Sequence, residues 1–306
     1  MTWSLFRWVW QLESPLHIGM PPAGSLNRTR LYVPARAIWG ALTAELARQE
    51  APNGQKPDYE CVGEDLKKSY RFTYLYPAQQ TNDTWHVWLP TYRDGHGLSW
   101  AREDPADRIF NDRRLRRWLL STRPGTSIDA TTDSAEDGSL RETECIETRW
   151  RDERGRDAGP VAMVGYVFIR TAKAHDESSP ERRRLNGVDT LFVGGDTRYG
   201  LGRLRRVAFD VVKQGGLFGA EVNLDAEVPE VTHSTVWAHA HSEEPLSGAL
   251  ELLGGWDHRS ILNIHQSSPL WQPGSRSKRP IRWTIGASGL WTQHGALQIE
   301  DNVRGH

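Results

Sequence analysis

The chain has 306 residues, 38% apolar content, 14 tryptophans and a formal charge of −1, which allows a substantial core and excludes a disordered chain. The near-zero charge also excludes a polycation that coats nucleic acid by bulk attraction, so contact with a polyanion has to come from local clusters. Of the 38 basic residues, 32 are arginine, which suits bidentate phosphate contact and base stacking, although a GC-rich genome produces the same bias. Cys61 and Cys145 stand far apart without a CxxC pair, which speaks against a structural zinc site or a disulfide framework. No signal peptide and no apolar run of membrane-spanning length is present, so a cytoplasmic, soluble protein without membrane contact is expected.

Residues 3–12 alternate as a strand, with Phe6, Trp8, Trp10 and Leu12 on one face. Ser14 to Gly19 leads into a loop containing Pro21, Pro22, Gly24, Asn27, Arg28 and Arg30, and then Leu31 to Val33. Pro34 suits the first turn of a helix running to about Arg48, with Ile38, Leu42 and Leu46 at four-residue spacing and a stop at 51–54. From Ser14 to Ala44 there is no acidic residue, while Arg28, Arg30 and Arg36 are basic. That charge suits a polyanion, and it equally suits a solvated loop.

Residues 70–76 and 85–92 read as a hairpin around a turn at 79–83, with Tyr70, Phe72, Tyr74 and Tyr76 on one face as core rim or as base-stacking surface. Residues 107–120 form a basic amphipathic helix, with Leu115, Trp118 and Leu119 inward and Arg113, Arg114, Arg116 and Arg117 outward. The polar stretch 121–159 is expected to be a long, mobile hairpin, rising over 127–130, turning at Asp137 and Gly138, and returning over 140–150. Val161 to Ile169 is the most continuously apolar run and should be a buried central strand. Ser179 and Pro180 open a helix expected over 181–191.

That helix delivers the chain to its most unusual stretch. Gly194, Gly195, Gly200 and Gly202 fall within nine positions, interleaved with Arg198, Tyr199 and Arg203, and a strand follows over 204–212. Glycine supplies positive φ and close backbone approach, and successive N–H groups in such a loop can form an anion-binding nest. Arginines add bidentate phosphate donors and tyrosine adds a stacking face. An ordinary glycine turn before a strand is the plain alternative; four arginines and no acid between Asp196 and Asp210 favour an RNA backbone.

With local hairpins set aside, the order is strand, helix, strand, strand, helix, strand, the α+β ferredoxin-like (RRM-like) βαββαβ arrangement, with hairpins inserted at about 70–92 and 121–159. This unit is expected over residues 1–212. Residues 213–306, rich in tryptophan, read as a second small, mostly β unit packed on it, with one short helix near 246–254 and hairpins around 280–300.

Three segments resemble, in the same order, the RAMP superfamily, the repeat-associated subunits of CRISPR effector complexes. They are SPLHIG…LYVPARAIWGALTAEL, SIDATTDSAEDGSLRETECIE and FVGGDTRYGLGRLRRVAF. The resemblance covers roughly residues 5–212. It implies a ferredoxin-like core that grips guide RNA, with the glycine loop against the backbone and the long hairpin inserted between bases. By position, Gly194, Gly195, Arg198, Tyr199, Gly200, Gly202 and Arg203 would be the loop contacts, flanked by Arg28, Arg30 and Arg36. Implied partners are the guide and target RNA, other RAMP subunits and a large effector subunit of a type III system; sequence reading by base pairing would explain why the chain is not basic overall.

Target-cleaving members of the family carry an aspartate in the loop between the first strand and the first helix. Here that loop has Asn27 and arginines, and an amide takes no proton as a carboxylate does. A non-cutting subunit that caps the 5′ handle or ends the filament is therefore expected, with no cofactor. One alternative is an RNA-cutting enzyme with His17 as general base. A metal site built on His233, His239 and His241, with His258 and His265 downstream, lacks the acid or cysteine spacing to complete it. A tryptophan-rich carbohydrate-binding module without RNA is the third alternative.

Overall fold

The computed structural model describes residues 2–104, 108–173, 175–214, 216–253, 255–257, 260–263 and 269–295. The fold is α+β with mostly antiparallel sheets. Four strands form the centre of the larger sheet: β1 (Thr2–Leu12), β2 (Tyr70–Phe72), β3 (Asp157–Thr171) and β4 (Arg203–Val211). Their spatial order is β4-β1-β3-β2 and every neighbouring pair is antiparallel. Helix α1 (Ala35–Glu50) lies between β1 and β2 in the chain, and α2 (Pro180–Asn186) between β3 and β4.

The apolar run of β3 is buried from Val161 to Ile169, as a strand with neighbours on both edges and cover on both faces requires. Strand β1 likewise buries Phe6, Trp8, Trp10 and Leu12 on one face and Leu5 and Val9 on the other. Helix α1 turns Ile38, Leu42 and Leu46 inward. At its end the Arg184 guanidinium of α2 donates to Glu50 at 2.6 Å. Ser179 caps α2, its Oγ accepting from the Arg182 N–H at 3.1 Å. The helix stops at Asn186, short of the expected Leu191, because Thr190–Phe192 pairs with β4 as an edge strand. That pairing overrides the weak local helix preference.

Beyond β3 the sheet continues through Tyr76–Thr81, Thr84–Arg93, Gly97–Arg102 and Ile109–Asn111. The expected hairpin turns on Asn82 and Asp83, whose φ values of 48° and 61° give the twist a two-residue hairpin needs. Residues 70–76 are not one strand, however. The chain breaks at Thr73 to Leu75, where the Thr73 hydroxyl accepts from the Tyr166 N–H at 2.8 Å and Leu75 exchanges hydrogen bonds with Val33. Tyr70, Phe72, Tyr74 and Tyr76 are all buried, so this row is core and offers no base a surface. The basic helix starts at Asp112, because the Asn111 side chain caps it by accepting from the Arg114 N–H at 2.8 Å and residues 109–111 join the sheet. A helix absent from the sequence reading, Tyr59–Ser69, is capped by Asp58. The long hairpin pairs Leu120–Gly125 with Arg141–Ile146 and ends in a smaller one, Ile128–Asp129 with Ser134–Ala135, so it turns over residues 130–133 and not at the expected Asp137 and Gly138.

The C-terminal sheet orders its strands Glu221–Asn223, Glu230–Thr235, Arg276–Ile285, Trp291–Gln293, Ala240–His241, Leu270–Trp271 and Leu250–Glu251. The hairpin expected around 280–300 is present as far as residue 295; residues 296–300 lie outside the described residues. The helix expected near 246–254 is absent over 246–253. There Leu250 and Leu252 face solvent while Glu251 turns inward, a period of two, and Gly248 lies so close to Ser275 that an added Cβ would come within 2.0 Å of its Oγ. Contacts link residues 218–227 to the larger sheet. Phe218 packs edge-on against Tyr166 and Tyr76, and the Trp3 indole donates to the Glu227 carbonyl at 3.1 Å. Among the described residues no helix is long and apolar enough to cross a membrane.

A buried polar knot joins the two sheets. His239 Nδ1 lies 2.8 Å from the Tyr74 hydroxyl and Nε2 lies 3.5 Å from Glu251, which also accepts from Arg30 and Gln272. Burial, reinforced by the Arg30 charge, pushes the imidazole down to about 3, so its contact with Glu251 is not an ion pair at neutral pH. A histidine held neutral when folded contributes stability that is complete above about pH 6.5 and is lost as pH falls toward 3. The chain is expected to lose about 2 kcal/mol between pH 7.5 and pH 5 through this group. Urea unfolding at the two pH values checks this, since His239→Asn should lack that part of the loss.

Candidate nucleic-acid interface

The glycine-rich loop is shaped by backbone contacts that only glycine allows. Val193 N–H donates to the Gly202 carbonyl at 2.9 Å and closes the loop at its base. Gly195 N–H donates to the His17 carbonyl at 2.9 Å, and Gly202 N–H to the Pro15 carbonyl at 2.8 Å. Gly194 has φ +88°, and a Cβ there would lie 2.2 Å from the His17 oxygen; Gly202 has φ +77°, and a Cβ there would lie 2.0 Å from the Val193 oxygen. Close approach and positive φ coincide at both. Between them Asp196, with φ 55°, opens a single 3₁₀ turn at Thr197–Tyr199, and Gly200 closes it.

The same place receives the long hairpin. Leu16 and Ile146 exchange backbone hydrogen bonds, residues 26–27 pair with 142–143, and the Thr29 N–H donates to Glu144 at 2.9 Å. Arg116 adds a 3.4 Å contact to Glu144 and a 3.2 Å hydrogen bond to the Thr29 carbonyl. Three segments separated by roughly a hundred and by fifty residues, 14–30, 120–146 and 193–203, therefore meet at one junction.

The predicted site residues divide sharply. Arg198, Tyr199 and Gly200 are exposed at the loop tip, and Arg198 has no hydrogen bond or ion pair among the described residues. Arg203 faces outward at the loop's exit, and Glu13 pairs with it at 3.0 Å and with Arg205 at 2.8 Å. Arg206 is structural: its side chain is 8% exposed and holds the Leu185 and Asn186 carbonyls and Asp189. Arg28 is half-buried in the N-terminal loop beside Asn27. Arg36 is exposed in the first turn of α1, which has no acid there. Arg30, 12% exposed in its side chain, turns away to Gly19 and Glu251 and serves the joint with the C-terminal sheet.

His17 is 9% exposed beneath Gly195, with Nδ1 2.8 Å from the Glu144 carbonyl. It holds the junction together. His233 contacts its neighbour Thr235 and stacks on Trp237, while His239 faces Tyr74. These histidines do not converge, and His258 and His265 lie outside the described residues. Among the described residues no group of three ligating side chains could hold a metal ion. No tryptophan with a described side chain is exposed. Arg141, whose guanidinium lies 5.3 Å from the Tyr199 ring centre, and Glu13 and Glu144, which pair with Arg203, Arg205 and Arg116, are further residues of the site, and no sequence motif marks these pairings.

No family model and no curated protein matches the chain. Among solved structures it is similar to a chain of the Type III-B Cmr-beta bound to cognate target RNA and AMPPnP, with a TM-score of 0.42, 13% identity, and coverage of 88% of this chain and 84% of that one. It is also similar to a chain of Cmr-beta bound to cognate target RNA, with a TM-score of 0.38, 12% identity and coverage of 68% and 97%. A chain of the Cmr-beta apo state gives a TM-score of 0.38 at 12% identity, with coverage of 69% and 98%.

The two kinds of loop glycine make opposite demands. Gly194→Ala meets the His17 carbonyl and should lower stability by about 2–3 kcal/mol, whereas Gly200→Ala, with φ +84° and nothing within 4 Å, should cost about 1 kcal/mol. Chemical denaturation of both variants checks the difference.

Proposed function

We propose that the chain is a guide-RNA-binding structural subunit of a CRISPR ribonucleoprotein effector, in which the glycine-rich loop holds the sugar–phosphate backbone. One observation carries the reading. The three segments on which the family resemblance rests lie apart in the chain and meet at one junction, with Arg198 and Arg203 exposed on the loop beside it. The order β4-β1-β3-β2, with a helix in each crossover, supports a ferredoxin-like core for residues 1–212. In that core the open sheet face that RRM domains use for RNA would be obstructed, because Phe218 packs on Tyr166 there and Trp237 backs Phe218. Binding therefore falls to the loops that follow β1 and precede β4.

Such a subunit would work among other RAMP subunits and a large effector subunit, capping the 5′ handle of the guide or ending the filament. Its role would be to bind rather than cut, since the N-terminal loop offers Asn27 where a carboxylate would be needed. Arg198→Ala should weaken binding of single-stranded RNA severalfold and flatten the dependence of log K on log salt by about 0.7, the value of one lost phosphate contact. Fluorescence anisotropy across a salt series measures both. An unchanged slope removes Arg198 from the interface.

A further inference from the structure

Tyr199 is the most exposed aromatic residue among those described, at 71%. An aromatic side chain at that exposure gives up about as much solvation advantage as its ring can, so its place at the tip of a rigid turn needs an explanation. The turn is rigid: Tyr199 N–H donates to the Asp196 carbonyl at 2.9 Å, Gly200 N–H to Thr197 at 3.1 Å, and both flanking residues are left-handed. The ring is also backed from one side. Arg141, on the returning strand of the hairpin, pairs with Gly125, and a Cβ on Gly125 would lie 3.4 Å from the Arg141 Nε. The missing side chain lets Arg141 lie across the strand and bring its guanidinium to 5.3 Å from the ring centre.

A guanidinium over one face fixes the ring and leaves the other face to solvent. We propose that Tyr199, backed by Arg141, is a stacking shelf for one nucleobase of single-stranded RNA, separate from the backbone contacts of the loop. It rests on the RNA-binding reading above. A paired base has both faces occupied by its neighbours, so the shelf selects unpaired nucleotides. It tolerates any base, because every base presents a π-face. The fixed turn means little freedom is lost on stacking. Arg141 acts through Tyr199 as a positioning residue, and its donors remain available to the phosphate of the stacked nucleotide.

The test uses the full chain, oligoadenylate, and an abasic ribose–phosphate oligomer of the same length. Tyr199→Ala should weaken oligoadenylate binding about tenfold, in line with base–aromatic stacking, and abasic binding less than twofold. Tyr199→Phe should stay within twofold of the natural protein on both, and Arg141→Ala should weaken oligoadenylate more than the abasic oligomer. Equal losses on both oligomers, or no loss on either, overturn the shelf while leaving RNA binding intact. Failure of the unaltered chain to bind either oligomer overturns the RNA-binding reading and the shelf with it.

Discussion

The candidate site depends on two backbone carbonyls. The oxygens of Pro15 and His17 accept the N–H groups of Gly202 and Gly195, and those bonds form because Gly194 and Gly202 leave no side chain between main chains. Any Cβ at these positions would sit about 2 Å from an oxygen. The loop is thus pinned to the end of β1 at its two ends, and its tip, residues 197–200, is left to face solvent. Buried backbone polar groups are satisfied at the base, while the arginine and the tyrosine are concentrated at the tip.

Electrostatics follow the same division. A chain with a formal charge of −1 can still present a positive surface if its acids are spent internally. Glu13 pairs with Arg203 and Arg205, Glu144 with Arg116, and Glu251 with Arg30. Most of these contacts are worth little individually because they are partly exposed, but they decide direction. Arg30 and Arg206 are consumed by the scaffold; Arg198 is not. Arginines that look equivalent along the sequence therefore differ in what they can do.

The sequence showed this fold where a pattern was long and one-sided. Strand 3–12, the apolar run 161–169, the helix with Ile38, Leu42 and Leu46, and the strand after the glycines all matched, since burial of a continuous face dictates each. Ends set by tertiary pairing were missed. Thr190–Phe192 left the helix for the sheet, and within 246–253 Ser247 and Leu250–Glu251 took β-partners while Gly248 packed on Ser275. The helix Tyr59–Ser69 was missed although Asp58 supplies a cap signal. In the site, the glycines and Arg198 were visible as composition. The contact of Arg141 with Tyr199 was not, because it depends on hairpin register, which a one-residue slip would reverse.

Amide hydrogen exchange of the full chain, with and without single-stranded RNA, addresses the central claim most directly. Slowed exchange confined to residues 14–30, 120–146 and 193–203 is the predicted result. Protection of the C-terminal sheet instead, or no change in the glycine loop at saturating RNA, would contradict it.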